Sequence, residues 1–168
     1  MTLVYFIGFV GDIFLPITVS TEMKVYSDNA LLINIGLILM WGVQHSVMAR
    51  GWFKDMTVSV VPHHVESSTY VLVSAITLAV FMYYWQPMEG IIWQVEGSMA
   101  VMVLWSLFAF GWILIFAATF LTDHFDLFGL RQTWLYFVKK TYTDVTFAER
   151  LVYRWIRHPM VLGIMIAF

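Results

Sequence analysis

The stretch from Ser98 to Leu121, SMAVMVLWSLFAFGWILIFAATFL, contains no charged residue and decides the fold class. A helix needs about 20 predominantly apolar residues to cross a hydrocarbon core about 30 Å thick. The whole chain agrees with this, since 61% of its 168 residues are hydrophobic and 12% are charged, whereas soluble domains are about 45–50% apolar. We therefore predict an all-α, polytopic bundle of transmembrane helices.

Three further apolar stretches have a similar length, and a fifth begins near the end of the sequence. The three are Leu3 to Ser20, Ala30 to Ala49 and Thr69 to Gln86, and the fifth runs from Pro159 to Phe168. At about 1.5 Å per residue, this last piece reaches only about 15 Å. We therefore expect a single transmembrane domain over residues 1–168, with four complete spans and a fifth that is truncated at the C-terminus.

The distribution of Lys and Arg indicates the orientation of the spans. Eight of these nine residues fall in the connections 50–68 and 122–158, and Lys24 is the ninth. Because positively charged loops stay in the cytoplasm, both connections and the N-terminus are predicted to be cytoplasmic. An aromatic belt is predicted at the opposite interface, at Tyr84, Trp85 and Trp93. The net charge is −2 and no basic groove is visible, so no nucleic-acid partner is expected.

Three polar segments lie at the predicted cytoplasmic ends of the spans. They are QHSVMAR (44–50), TDHFDLFGLRQ (122–132) and RWIRHPMVLG (154–163). Polar residues in or beside a span are costly and often mark functional sites. Their convergence on one face predicts a site between helix ends that receives a cytosolic substrate. The absence of cysteine excludes disulfides, thiolate metal ligands and a cysteine nucleophile, and we predict no metal site.

These polar residues also have structural interpretations. His45 can join two helices by hydrogen bonds, and Asp123 and His124 can end and solvate a helix. The histidines at 63–64 are expected to be solvated in a loop. Glu66 is expected to be a charge at the start of a helix. A functional role for any of them therefore depends on what surrounds it.

Four motifs occur in order between Gln44 and Gly163: QHSVMAR, VESSTYVL, LTDHFDLFGLRQ and LVYRWIRHPMVLG. On these motifs the sequence resembles the small integral-membrane methyltransferases related to isoprenylcysteine carboxyl methyltransferase. Within them it looks most like the bacterial enzymes that methylate methanethiol to dimethyl sulfide. The resemblance implies S-adenosyl-L-methionine as methyl donor, a small thiol as acceptor, and a multi-pass location in the bacterial inner membrane. It also implies donor-binding residues at the Arg-His-Pro element and the following glycine, namely Arg157, His158, Pro159 and Gly163.

The expected chemistry points to candidate catalytic residues. Methyl transfer from a sulfonium to a thiolate removes both charges, so a dry site favours it. His45, Asp123 or His124 can take the thiol proton. Arg131 or Arg157 can stabilise the anion or bind the donor carboxylate. The choice of base among the three proton acceptors is left open.

Three other interpretations remain. Axial histidine pairs hold haem in membrane proteins, so His45 and His124 also suit a haem-binding protein. The chain also suits a non-catalytic membrane subunit. A third interpretation keeps the methyl transfer but changes the acceptor to an isoprenylcysteine carboxylate or a lipid amine. The sequence predicts no oligomeric state.

Overall fold

The computed structural model describes residues 1–21, 27–88, 90, 94–143 and 151–168. The chain forms two compact units, Met1–Ile91 and Ile92–Phe168. Each unit has its own helices and its own internal contacts.

All regular elements of the described residues are helical, as predicted. The first unit contains α1 (Thr2–Gly11), α2 (Ala30–Met48), α3 (Gly51–Thr57) and α4 (His63–Tyr84). The second unit contains α5 (Ser98–Thr122), α6 (His124–Leu127), α7 (Leu130–Phe137), a 3₁₀ turn (Leu151–Arg154) and α8 (Pro159–Ala167). Within this part of the chain, α2, α4 and α5 are long and apolar enough to cross a membrane. The predicted all-α polytopic class is confirmed.

The predicted first span, Leu3 to Ser20, is wrong in length. Helix α1 ends at Gly11, because Asp12 adopts a left-handed conformation with φ of 55° and its N–H donates to the Gly8 carbonyl. The Thr18 hydroxyl donates to the Asp12 carboxylate, and the Val19 N–H donates to the Phe9 carbonyl over 3.1 Å. The chain therefore folds back along α1. A helix of 10 residues reaches about 15 Å and cannot cross the bilayer alone. The prediction of a cytoplasmic N-terminus assumed that this segment crosses the bilayer, and α1 does not supply that crossing.

Helix α4 begins at His63, earlier than the predicted Thr69. Pro62 precedes the first turn in an extended conformation. Glu66 lies in that turn, where the helix dipole stabilises a carboxylate. Its carboxylate pairs with Lys54 over 2.7 Å and with His63 over 3.1 Å. The expected helix-start charge is thus present. The His63 side chain is exposed, as predicted, although it also has this acidic partner. The prediction that the two histidines lie in a loop is wrong, because both belong to the first turn of α4, where His64 is half-buried.

Aromatic rings and one asparagine hold the first unit together. The buried Phe9 ring of α1 lies 6.2 Å from the rings of Phe81 and Trp85, measured between centroids, in edge-to-face arrangements. The buried Asn34 amide of α2 makes two hydrogen bonds to one residue after α4: it donates to the Gln86 carbonyl over 2.7 Å and accepts from the Gln86 N–H over 2.9 Å. This pairing satisfies the backbone N–H and carbonyl of Gln86, which lie beyond the last turn of α4, and it fixes the end of α4 on α2.

The predicted aromatic belt is described only in part. Tyr84 is exposed, and the Trp85 indole N–H donates to the Val19 carbonyl over 3.2 Å. Trp93 lies outside the described residues.

Two glycines govern the packing of the second unit. A Cβ added at Gly111 of α5 would lie 2.6 Å from the Gly163 carbonyl oxygen and 2.7 Å from the Ala167 nitrogen of α8. A Cβ added at Gly163 would lie 2.8 Å from the Gly111 oxygen and 2.8 Å from the Ile115 side chain. Because later residues of α8 contact earlier residues of α5, the two helices are antiparallel. Their backbones approach as closely as small residues allow.

Candidate active site

Asp123 forms the corner between α5 and α6. Its φ of 86° is left-handed and strained for a residue with a side chain. The Asp123 carboxylate accepts a hydrogen bond from the Asp126 N–H over 3.1 Å, and so caps the first turn of α6. Of the predicted catalytic residues His45, Asp123, His124 and Arg131, Asp123 therefore makes the contact that the structural interpretation expected.

His124 follows this corner and lies among aromatic rings. The Phe120 ring stacks on the imidazole at 4.3 Å and 7°, and the Phe128 ring lies 4.6 Å from it at 42°. The Nδ1 atom is 2.9 Å from the hydroxyl of Thr119, a buried residue of α5. Among the described residues, the Nε2 atom has no hydrogen-bond partner. The ring is thus held on two faces and at one nitrogen.

Arg131, the fourth predicted catalytic residue, is engaged by its own neighbourhood. Its guanidinium contacts the Asp126 carboxylate at 3.2 Å and donates to the Thr143 carbonyl over 2.9 Å. It also lies 5.3 Å from the Tyr142 ring, and the Tyr142 hydroxyl donates to Asp126 over 3.1 Å. Arg131 therefore ties residues 142–143 to α6.

The Arg-His-Pro element begins α8, with Pro159 at the first helical position, where its missing N–H costs nothing. Pro159 and Gly163 are buried, whereas Arg157 and His158 are exposed. Within the described part of the chain, these two side chains make no hydrogen bond or ion pair. Of the four predicted donor-binding residues, Pro159 and Gly163 thus pack inside the unit, whereas Arg157 and His158 are exposed to a ligand.

The structure brings two of the three polar segments to one end of the second unit. Ala167 lies beside Gly111, and Gly163 lies beside Ile115. Because the two helices are antiparallel, one further turn toward the start of α8 brings Pro159 level with Thr119. The Tyr153 hydroxyl of the 3₁₀ turn also lies 2.8 Å from the Thr122 hydroxyl at the end of α5. The Arg-His-Pro element and the His124 corner therefore share this end.

The third polar segment belongs to the first unit, where His45 of α2 faces α4. The Tyr70 hydroxyl lies 2.9 Å from Nε2 and 3.0 Å from Nδ1 of His45, and the Ser74 hydroxyl lies 3.5 Å from Nδ1. The neighbouring Gln44 amide donates to Ser74 over 3.2 Å and accepts from the Thr77 hydroxyl over 2.8 Å. These bonds join two apolar helices, as the structural interpretation of His45 expected.

The contacts of His45 bear on the haem interpretation. A haem ligand needs a ring nitrogen with a free lone pair, and both nitrogens of His45 lie within 3.0 Å of the Tyr70 hydroxyl. In the residues that the structure describes, no three His, Cys, Asp or Glu side chains cluster as metal ligands would.

Several site residues were not identified from the sequence. Tyr70, Ser74 and Thr77 lie on one face of α4, and their spacing of four and three residues within an apolar helix is a signal that could have found them. Thr119 carries no such signal, because its partner lies beyond the corner at Asp123 and only the fold brings the two together.

Comparison with known proteins gives one family match and several relatives. The model of the NnrU protein family matches residues 32–167. The chain is 41% identical over its whole length to the methanethiol S-methyltransferase of Crocosphaera subtropica, of which it covers 66%. It is 42% identical over 98% of its length to that of Mycobacterium tuberculosis, covering 67% of it, and 44% identical over 95% of its length to that of Pseudomonas deceptionensis, covering 61%.

The chain thus spans about two thirds of the length of the curated relatives it matches. No solved structure matches it. The predicted relationship to the methanethiol-methylating enzymes is confirmed, and the chain belongs to the NnrU protein family.

Proposed function

We propose that the protein containing this chain is an integral-membrane methyltransferase that transfers the methyl group of S-adenosyl-L-methionine to methanethiol, forming dimethyl sulfide. The observation that carries the proposal is the antiparallel contact of α5 with α8 together with the contact of Tyr153 with Thr122, from which we infer that His124, Arg157 and His158 lie at the same end of the second unit. Relatives named methanethiol S-methyltransferase, similar over 95% or more of this chain, support methanethiol as the acceptor and imply a methyl donor.

The residues at this end fit the methyl donor at two of its charged groups, the carboxylate and the sulfonium. The donor carries a carboxylate, which suits the exposed guanidinium of Arg157 and the ring of His158. It also carries a sulfonium, which suits an aromatic face, and Phe120 and Phe128 supply such faces beside His124. Pro159 and Gly163 contribute by packing, because they fix the start of α8 against α5. When bound, the donor supplies an electrophilic methyl carbon.

The acceptor needs a base. A thiol whose pKa lies about 3 units above the ambient pH requires about 4 kcal/mol to be presented as thiolate, at about 1.36 kcal/mol per unit. Asp123 caps α6 and Arg131 is bound to Asp126, so the histidines are the candidates with a nitrogen suited to proton transfer. The proton passes to an imidazole nitrogen first, and the thiolate sulfur then forms its bond to the methyl carbon.

Helix ends in a membrane suit this reaction physically. The reactants carry opposite charges that the transition state partly removes, so a site with little water favours the transition state over the separated ions. We propose that this end of the second unit faces the cytoplasm, where a soluble donor has access, in the inner membrane of a bacterium.

An acceptor screen tests the proposal. Full-length protein purified in detergent is incubated with donor labelled in its methyl group and with methanethiol, a prenylcysteine or lipid headgroup amines. Label is expected in dimethyl sulfide and at background level in the other two products. Transfer to prenylcysteine or lipid alone would refute the acceptor. Absence of both transfer and donor binding would favour the non-catalytic interpretation.

A further inference from the structure

We propose that Thr119 is a positioning residue that fixes the tautomer of His124, so that Nε2 of His124 is the atom that takes the thiol proton. The base role rests on the proposed function. The tautomer itself follows from the hydrogen bonds of the second unit, whatever reaction the protein performs.

The argument begins with the single proton of the Thr119 hydroxyl. Thr119 Oγ1 lies 2.7 Å from the Phe116 carbonyl oxygen, and a carbonyl can only accept, so the hydroxyl proton points there. Oγ1 also lies 2.9 Å from His124 Nδ1. With its proton already used, Oγ1 must accept this second bond. His124 therefore carries its proton on Nδ1 and donates it to Thr119.

The lone pair of the ring follows directly. A neutral imidazole has one N–H and one bare nitrogen, so the bare nitrogen of His124 is Nε2. It has no partner among the described residues. Because Thr119 is only 7% exposed, water competes poorly for the bond that sets this arrangement. The rings of Phe120 and Phe128, at 4.3 and 4.6 Å, keep the imidazole from turning over.

The same reasoning separates His124 from His45. Both nitrogens of His45 lie within hydrogen-bond distance of the Tyr70 hydroxyl, at 2.9 and 3.0 Å. That ring lies between two helices, and the Tyr70 hydroxyl occupies the space beside both nitrogens, so neither is open to a substrate. Of the two histidines, His124 is the one arranged as a base.

The proton balance of the step is simple. The S–H bond of the thiol breaks and its proton goes to Nε2. The thiolate sulfur then forms the bond to the methyl carbon as the bond between that carbon and the sulfonium sulfur breaks, and the donor leaves as the neutral thioether. The resulting imidazolium has two N–H groups, and Thr119 continues to accept from the one on Nδ1. The proton is then returned to water. Thr119 thus holds the ring in the same orientation before and after transfer, as orienting groups do in histidine-dependent sites.

The test combines a spectroscopic and a kinetic readout. Protein labelled with ¹⁵N in histidine is measured by NMR under conditions where the ring is neutral, and the proton of His124 is expected on Nδ1. Thr119→Val keeps the shape but not the acceptor, and should shift His124 toward the other tautomer. It should also lower kcat about 10- to 100-fold with little change in KM for the thiol, the size expected when a reacting group is misplaced. Thr119→Ser keeps the hydroxyl and should restore both readouts.

A matched control lies on the same helix. The Ser106 hydroxyl donates to the Met102 carbonyl over 2.8 Å and, among the described residues, makes no hydrogen bond to a histidine, so Ser106→Ala should change neither the spectrum nor kcat. A wild-type spectrum with the proton on Nε2 would overturn the inference even if every variant failed to fold. An unchanged kcat in Thr119→Val would also overturn it. Wild-type protein with the proton on Nδ1 but no methyl transfer to any thiol would refute the proposed function and the base role, while the tautomer assignment would stand.

Discussion

The close crossing of α5 and α8 makes a quantitative prediction for Gly111→Ala. The new Cβ would lie 2.6 Å from the Gly163 oxygen, 2.7 Å from the Ala167 nitrogen and 2.8 Å from the Ala167 Cβ. None of these atoms belongs to a flexible side chain. Ordinary contact begins near 3.4 Å, so the helices must move apart by about 0.8 Å, and a gap of about 0.5–1 Å loses a quarter to a half of each dispersion contact.

The magnitude is the difference of two opposing effects. Overpacking costs about 1–3 kcal/mol, and contact with rigid backbone puts this site in the upper half of that range. Alanine recovers about 1 kcal/mol of helix propensity relative to glycine. The net expectation for Gly111→Ala is a loss of about 1–2 kcal/mol of unfolding free energy. Gly163→Ala should behave alike, because its Cβ would lie 2.8 Å from the Gly111 oxygen.

Gly36 of α2 provides the matched control. A Cβ added there meets nothing within 4 Å, so Gly36→Ala should gain up to about 1 kcal/mol and differ from Gly111→Ala by about 2–3 kcal/mol. The assay is denaturant-induced unfolding of the purified variants in one detergent, followed by tryptophan fluorescence. If Gly111→Ala proved as stable as Gly36→Ala, the contact between α5 and α8 would not exist as described, and the register that brings Pro159 level with Thr119 would fail with it.

Three further substitutions have defined outcomes. Arg157→Gln should weaken equilibrium binding of labelled S-adenosyl-L-methionine about 10- to 100-fold, because it removes one charge-assisted hydrogen bond worth about 1.5–3 kcal/mol. The unfolding free energy should not change, and unchanged binding would remove Arg157 from the donor site. Asn34→Ala leaves the Gln86 N–H and carbonyl without the Asn34 amide and should cost about 2–6 kcal/mol in the same unfolding assay, at about 1–3 kcal/mol for each of the two unsatisfied groups. A loss below about 1 kcal/mol would show that water or lipid headgroups replace the amide. Lys54→Met removes a partly exposed ion pair with Glu66 and should lower the unfolding free energy by no more than about 1 kcal/mol. About 1 M salt should abolish this difference. A larger loss that salt does not change would mean that the pair is shielded from solvent.

The sequence predicted the fold best where one signal dominated. The apolar run from Ser98 to Leu121 forms α5, which ends one residue later at Thr122. An uninterrupted apolar stretch preceded by Gly97 leaves little choice of where the helix begins and ends. It failed at α1, since hydropathy continues through Leu15 and Ile17 while the backbone turns at Asp12. That turn depends on a left-handed residue and on a tertiary bond to Thr18, neither of which a hydropathy pattern encodes.

The candidate site divides in the same way. His124 and Arg157 stand out as polar residues beside apolar runs, so their types and positions were accessible to sequence reasoning. The partners that decide their chemistry were not. Thr119 is one hydroxyl in an apolar helix, and its contact with His124 requires the corner at Asp123. Gly163 matched a motif, yet its backbone contact with Gly111 depends on how two helices cross.

The most direct test of the account is the side of the membrane on which the three polar segments emerge. The chain contains no cysteine, so single cysteines at Ala49, Leu127 and Trp155, all exposed, report their own location to a membrane-impermeant maleimide, with Met88 as the opposite-side reference. The account predicts labelling of the first three only from the cytoplasmic side, and of Met88 only from the other. Labelling of Leu127 and Trp155 from opposite sides would contradict it, because no donor could then bridge His124 and Arg157.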